Sequence, residues 1–220
     1  MKLGVLLPHT KLYGGVKRFL ELGNIFVRMG HSFYVFTPDG EGPEWFKFEG
    51  KMRTFDQIAE TELDALWTTT PKFIPLIEQS GAKHKIFYHV RIKERLKKWL
   101  KNPELELYAC STNVYEHDVK KYGRKAFKAI GGVTLANYQP KTDYSVKDRP
   151  FVVMGYGRLA ERVKGTKYVV KACERLYKKG YNIKLLLFDT ALNDEWQKKI
   201  DNFKCSCPYE FVQNYGKGEK

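Results

Sequence analysis

Residues 2–37, "KLGVLLPHTKLYGGVKRFLELGNIFVRMGHSFYVFT", contain the pattern that decides the fold. A short apolar run opens this stretch, and a second apolar run, "SFYVFT", closes it. Between them, apolar residues recur at helical spacing, at Val16, Phe19, Leu20, Ile25, Phe26 and Met29. Gly30 follows the last of these residues, as is typical of a helix end. The stretch therefore predicts a strand, a helix and a second strand joined by a right-handed parallel crossover.

The same alternation of strand-like and helix-like segments continues along the chain. Strands are predicted at "KMRTF", "LDALWTTT", "KHKIFYHV" and "LELYACS", and helices at "PKFIPLIEQSG", "RIKERLKKWLKN" and "TNVYEHDVKKYG". After a polar stretch that resembles a linker, residues 142–150, strands and helices alternate again to "YEFVQ". We expect an α/β protein with an N-terminal Rossmann-like doubly wound domain, residues 1–145. An incomplete second Rossmann-like domain, residues 146–220, follows it.

Composition limits the classes of protein to which the chain can belong. The sequence lacks a run of about 18 apolar residues and a recognisable signal peptide, so we expect a cytoplasmic protein, at most peripheral on a membrane. A formal charge of +14 predicts an acidic partner. Nucleotide phosphates, anionic lipid headgroups and nucleic acid all qualify, but no recognition helix, RNP motif or zinc finger favours nucleic acid. The four cysteines lack zinc-site spacing, which predicts no metal and reduced thiols.

Two glycine-containing loops stand where a strand-like segment meets a helix-like one. In "HTKLYGGVKRF", Gly14 and Gly15 would let a ligand approach the helix amino terminus, although a tight turn is the simpler explanation. In "GYGRLAERVKG", residues 155–165, Arg158 and Lys164 suit a diphosphate at the carboxyl ends of parallel strands. The alternative for this second loop is that both cations are ordinary solvated charges.

The order and spacing of these segments resemble glycosyltransferase family 4. The resemblance is carried by the stretch "LLPHTKLYGGVKRFLELGNIFVRMGHSFYVFTPDG", by "YACSTNVYEHDVKKYGRKAFKAIGGVTLANYQP", and by "VMGYGRLAERVKGTKYVVKACERLYKKGYNIKLLLFD". It covers nearly the whole chain. The resemblance implies a GT-B fold, in which two Rossmann-like domains face each other across a cleft. It also implies a retaining glycosyltransferase of polysaccharide biosynthesis, with a nucleotide sugar as donor substrate, a glycan or lipid-linked acceptor, and neither cofactor nor metal.

The resemblance also assigns roles to particular residues. Arg158 and Lys164 match the pair that binds the donor diphosphate and stabilises the departing nucleotide, and Gly157 belongs to the same loop. Gly14 and Gly15 match the loop that faces donor and acceptor from the first domain. His89, at the end of "KIFYHV", falls near the position of a cleft residue beside the transferred sugar. A hydrogen-bonded structural histidine is the alternative at this position, and the two interpretations stand about equal.

The sequence departs from the family in the second domain. Relatives carry two glutamates separated by seven residues that contact the donor sugar and ribose, and here only Glu41 and Glu49 have that spacing, in an irregular segment of the first domain. We expect that a longer chain, a partner chain or a second copy completes the domain. The alternative function is a non-catalytic nucleotide- or partner-binding module.

The basic segment "RIKERLKKWLKN", residues 91–102, has two interpretations as a helix. Ile92, Leu96, Trp99 and Leu100 lie on one side of the helix and its cations elsewhere. Such a helix can pack against its own sheet with its charges in water, or lie on an anionic membrane surface with its tryptophan among the headgroups. The second arrangement would suit a lipid-linked acceptor.

Overall fold

The computed structural model describes residues 1–132, 149–159, 164–189 and 194–213, and the chain divides into two units, Met1–Tyr138 and Gln139–Lys220. The predicted domain boundary at residues 145 and 146, and most of the predicted linker, lie outside the described residues. Within the described ranges, no helix combines the length and the apolar character that crossing a membrane requires.

The first unit contains a parallel sheet with helices on both faces. Its strands are β1 (Lys2–Leu6), β2 (Ser32–Thr37), β3 (Lys51–Thr54), β4 (Ala65–Thr68), β5 (His84–His89), β6 (Glu106–Ala109) and β7 (Ala126–Lys128). Its α-helices are α1 (Gly14–Arg28), α2 (Ile74–Gln79), α3 (Lys97–Leu100) and α4 (Thr112–Tyr122). Short 3₁₀ turns cover Phe55–Ile58, Pro71–Phe73 and Glu94–Leu96. The strands are ordered β3-β2-β1-β4-β5-β6-β7, and every adjacent pair is parallel.

Strand β2 shows why both faces of this sheet must be covered. Successive side chains of a strand point to opposite faces, and in β2 both alternating sets are apolar. Phe33 packs with Phe19 and Leu20 of α1, whereas Phe36 packs with Ile74 and the other buried residues of the opposite face. The sequence therefore builds a buried parallel sheet of the doubly wound, Rossmann-like class.

Helix α1 approaches β2 closely through Gly23. A methyl group at this position would lie 2.7 Å from Cδ1 of Phe33 and 2.8 Å from Cε2 of Phe48. Glycine usually weakens a helix interior, so its presence here reflects the space that these two rings occupy.

The basic segment 91–102 forms less helix than its pattern predicts. The structure has the 3₁₀ turn Glu94–Leu96 followed by the single-turn helix α3. Leu96 and Leu100 are buried against the sheet, as the docking interpretation predicts, while Ile92 is exposed. Arg124 donates hydrogen bonds to the carbonyl oxygens of Leu100, at the end of α3, and of Asn102 and Leu105, which follow it.

The second unit contains a smaller parallel sheet. Its described elements are β8 (Phe151–Tyr156), α5 (Thr166–Lys178), β9 (Ile183–Asp189), α6 (Asp194–Asp201) and β10 (Tyr209–Gln213), with strand order β10-β9-β8. Ile183, Leu185 and Leu187 alternate along β9 on the face that packs with Cys173 of α5. This is the parallel strand and helix order predicted for a partial Rossmann-like domain. The arrangement of two such domains that defines a GT-B fold stays a prediction.

We expect Gly23→Ala to destabilise the first unit. The helix-propensity gain is about 1 kcal/mol, but overpacking against the buried ring of Phe33 and the partly buried ring of Phe48 costs about 1–3 kcal/mol. Urea denaturation should therefore give a lower free energy of unfolding. Gly81→Ala is the control, because a methyl group there would meet no described atom within 4 Å. Equal effects of the two substitutions would contradict the packing explanation.

Asp64 generates a pH-dependent contribution to stability. Its carboxylate accepts hydrogen bonds from Lys83 Nζ and from the backbone N–H of Lys2, both at 2.8 Å, and these contacts lower the pKa of Asp64 to about 2. Because the folded-state pKa lies below the unfolded value of about 3.9, the stabilisation is present above pH 4 and is lost as the pH falls towards 2.

Asp64→Asn should therefore lower the melting temperature at pH 6 and have little effect near pH 2. Melting curves of both proteins across this range test the expectation. Lys83→Met removes the partner cation and should reproduce part of the difference. A difference in melting temperature that does not change with pH would refute the role of the carboxylate.

Candidate functional site

The first unit has a cavity of about 440 Å³ beside the carboxyl ends of its strands. Its lining residues include Gly15 and Arg18 of α1, Thr69 after β4, Tyr88 and His89 of β5, and Cys110 after β6. Strand β1 pairs with β2 on one side and with β4 on the other, so the chain leaves β1 towards β2 and later returns past β1, from β3 to β4. Such a switch point is where open α/β sheets bind ligands.

Gly14 and Gly15 stand at the first turn of α1, as predicted for this loop. Methyl groups built at these two positions would meet no described atom within 4 Å, and neither residue has a positive φ. The fold of the described residues therefore does not require glycine at either position. The open space beside the helix amino terminus is available to a ligand.

His89 is completely buried, and both of its ring nitrogens contact oxygen atoms. Nε2 lies 2.9 Å from the carbonyl oxygen of Arg91, and Nδ1 lies 2.9 and 3.0 Å from the two carboxylate oxygens of Asp118 in α4. A carbonyl oxygen only accepts, so Nε2 carries a hydrogen; the contact with Asp118 then requires a second proton, on the ring or on the carboxyl group. With both nitrogens occupied in this way, His89 holds the loop that follows β5. Its predicted catalytic role stays a prediction.

His117 completes a small cluster around this pair. Its Nδ1 lies 3.2 Å from Oδ1 of Asp118, and one ligand atom from each of His89, His117 and Asp118 lies within 4.8 Å of the others. Histidine and carboxylate ligands of this kind can hold a metal ion. The separation of 2.9 Å between His89 and the fully buried Asp118 is an ordinary hydrogen-bond length, so a hydrogen bond accounts for the contact without a metal.

Tyr88 and Arg18 form the wall of the cavity beside α1. The Arg18 guanidinium lies 4.8 Å from the centre of the Tyr88 ring, and both side chains donate hydrogen bonds to the carbonyl oxygen of Ala129. Burial raises the pKa of Tyr88, and the neighbouring Arg18 opposes that rise. Tyr88 therefore acts at neutral pH as a hydrogen-bond donor that fixes this wall.

The second unit places Arg158 beside a separate cavity of about 280 Å³. The guanidinium Nε lies 3.2 Å from Oδ1 of the buried Asp189, and the guanidinium carbon lies 5.4 Å from the centre of the Trp196 ring. Asp189 ends β9, and Trp196 belongs to α6. Arg158 is thus fixed by partners from two elements rather than freely solvated.

Lys164 lies at the other end of the same loop, immediately before Gly165 and α5. Its Nζ is 5.1 Å from the centre of the Tyr156 ring, and the side chain of Lys167, rather than that of Lys164, lines the cavity with Arg158. The first residue of α5, Thr166, donates a hydrogen bond of 2.8 Å to the carbonyl oxygen of Tyr156. This bond holds the helix amino terminus at the carboxyl end of β8. Residues 160–163, between the two predicted cations, lie outside the described residues.

Gly157 and Gly165 are required for reasons internal to the fold. A methyl group on Gly157 would overlap the ring of Phe211, and Gly165 has a φ of +69°, which side chains rarely adopt. The predicted role of Gly157 in nucleotide binding stays a prediction beside this packing role.

One carboxylate, Glu174, lies among the described side chains that line the second cavity. It accepts hydrogen bonds of 3.1 Å from the backbone N–H and the hydroxyl of Ser206. These bonds, that from the backbone first, hold the pKa of Glu174 below its usual range. The Ser206 bonds hold this carboxylate in place in a lining that also contains Lys167, Lys171 and Lys204.

Sequence reasoning missed Asp118, Asp189 and Trp196 as partners of predicted site residues. Two of these residues had a signal in the sequence. Asp118 is four residues after Val114, on the buried face of α4, and Asp189 continues the alternation of buried residues along β9. Trp196 had none, because its contact with Arg158 depends on how α6 packs.

Neither a scan against protein-family models nor a search of curated proteins finds a match to this chain.

We expect Gly15→Ala to leave the free energy of unfolding unchanged or to raise it by up to about 1 kcal/mol, because alanine favours helix and the position is open. Gly165→Ala is the contrasting variant, and its left-handed conformation should cost about 1–2 kcal/mol. Melting curves measure both effects. A loss of stability in Gly15→Ala would mean that the fold, rather than a ligand, requires this glycine.

Proposed function

We propose that the protein transfers a sugar from a nucleotide-diphosphate donor to a glycan or lipid-linked acceptor, with retention at the anomeric carbon. One observation carries the proposal: α5 begins at the carboxyl end of β8, with Arg158 in the loop before it and Lys164 next to its first turn. Unpaired N–H groups and the helix dipole make such a terminus attractive to phosphate, and both cations add charge there. This is the chemistry that a nucleotide diphosphate needs.

In the proposed reaction, the bond between the sugar and the diphosphate breaks and negative charge develops on the departing nucleotide. Cations held in place before the donor arrives lower the barrier, because no reorganisation is needed as the charge forms. Asp189 and Trp196 supply this fixing for Arg158. Lys164 contributes a second positive charge from the helix side of the loop.

The alternative is a non-catalytic module that binds a nucleotide or a partner without transfer. The ion pair between Arg158 and Asp189 favours this alternative, since a cation already balanced by a buried carboxylate offers less net charge to a leaving group. The two functions differ in one measurable respect. Only the transferase releases nucleoside diphosphate from a nucleotide sugar in the presence of an acceptor.

The test of the donor site compares Arg158→Ala and Lys164→Ala with the unmodified chain. Calorimetric titration with a panel of nucleoside diphosphates and nucleotide sugars should show binding that each substitution weakens by about 10-fold or more, since a charge-assisted hydrogen bond contributes about 1.5–3 kcal/mol. Lys179→Ala is the charge-matched control, because Lys179 is exposed at the far end of α5.

Three outcomes decide between the proposals. Binding that depends on Arg158 and Lys164, together with release of nucleoside diphosphate, supports the transferase. The same binding without release, for any acceptor in a broad panel, supports the binding module. Failure of the unmodified chain to bind any nucleotide in the panel rejects both.

A further inference from the structure

The charged side chains that line the cavity of the first unit are all basic. They are Arg18, Arg91, Lys93 and Arg95. Among the side chains that the structure describes there, no carboxylate lines the cavity. A sugar hydroxyl both donates and accepts hydrogen bonds, and a site built for hydroxyls alone would offer acceptors as well as donors. Charged groups that only donate match an anion.

Three of these cations lie in the loop after β5 and in the 3₁₀ turn that follows it. Arg91, Lys93 and Arg95 are exposed, and no described carboxylate of residues 1–132 forms an ion pair with them. The loop itself is anchored, because His89 donates from Nε2 to the carbonyl oxygen of Arg91 while Asp118 holds the other side of the ring. The cations are therefore carried on a backbone that is fixed at its start.

The opposite wall adds positive potential from α1. Arg18 is held by the Tyr88 ring and the Ala129 carbonyl group, and Gly15 leaves the helix amino terminus open. The first turn of this 15-residue helix contains no acidic residue to compete for the site. Cationic side chains and a helix terminus thus face one space from two sides.

The remaining lining is apolar and the cavity is larger than a lone phosphate requires. Phe19, Pro71, Phe87 and Leu96 contribute to it, and the volume of about 440 Å³ lies within the range of about 300–1,000 Å³ typical of ligand sites. We infer that this cavity binds the phosphate or diphosphate group of a phosphorylated acceptor, with the attached group against the apolar wall. The inference rests on the proposed function, because it names the acceptor class of that reaction. A soluble sugar phosphate and a lipid phosphate headgroup share this chemistry.

The first test measures the cavity separately from the donor site. The full chain carrying Arg158→Ala and Lys164→Ala is titrated with inorganic diphosphate in calorimetry at physiological salt, and saturable binding is expected. Adding Arg91→Ala and Arg95→Ala should weaken this binding by about 10-fold or more. Arg91→Lys with Arg95→Lys, which keeps the charge but loses the paired donors, should fall between the two.

Lys97→Ala with Lys101→Ala is the matched control for this test. Both lysines are exposed in the same basic segment and lie outside the cavity lining, so the double variant removes the same charge. It should leave diphosphate affinity nearly unchanged. Equal weakening by both double variants would show general attraction to a basic surface and would overturn the inference.

The second test distinguishes the two sources of the phosphate. Glucose 1-phosphate represents a soluble acceptor, and vesicles of phosphatidylglycerol, compared with phosphatidylcholine vesicles in sedimentation, represent a lipid headgroup. Binding of either probe that depends on Arg91 and Arg95, but not on Lys97 and Lys101, supports the inference and identifies the source. If diphosphate, glucose 1-phosphate and anionic vesicles all fail to bind, the inference is wrong.

Failure of the inference and failure of the proposed function give different results. In one case, the unmodified chain binds no nucleotide sugar but still binds diphosphate in a manner that depends on Arg91 and Arg95. The donor proposal then fails, and the anion site can no longer be assigned to an acceptor. If the unmodified chain releases nucleoside diphosphate with neutral acceptors and the Arg91→Ala, Arg95→Ala variant matches it, the transferase stands and the phosphorylated acceptor is rejected.

Discussion

The pairing of β1 with two parallel neighbours is the constraint on which the first unit depends. Strands β2 and β4 lie on opposite sides of β1. The chain therefore moves in one direction along the sheet from β1 to β3, and in the other direction from β3 to β4 and beyond. The carboxyl ends of β1 and β4 therefore border a crevice, and α1 begins beside it. The cavity lies at this edge of the sheet, and its lining comes from α1, from the end of β5 and from the loops that follow β4, β5 and β6.

A buried polar pair links the stability of this unit to the chemistry of its cavity. Burying a histidine and an aspartate is costly unless their polar atoms are satisfied, and His89 and Asp118 satisfy each other. The remaining ring nitrogen of His89 bonds to Arg91, the first residue of the basic loop. Asp118 thus satisfies one ring nitrogen of the buried His89, and the other ring nitrogen fixes the start of the cationic loop at the cavity.

Glycines at the strand-to-helix junctions of the two units have different physical causes. Gly15 stands in open space, Gly157 makes room for Phe211, and Gly165 adopts a left-handed conformation. Packing explains Gly157 and backbone conformation explains Gly165. Neither explains Gly15 among the described residues, so a bound ligand is the remaining reason for a glycine there. Arg158 and Lys164 likewise differ, since Arg158 is held by a buried carboxylate and an indole ring, whereas Lys164 lies over Tyr156.

The sequence by itself determined the α/β class, the alternation of strands and helices along the chain and the helix at "TNVYEHDVKKYG", because periodicity and capping are local properties. It overestimated the basic helix, of which the structure has only the 3₁₀ turn Glu94–Leu96 and the single-turn helix α3. Only the tertiary structure decided that His89 is buried against Asp118, that Arg158 pairs with Asp189, and that four cations share one cavity. These contacts join residues far apart in sequence, and they exist only once the sheet has set its strand order and the helices have packed on it.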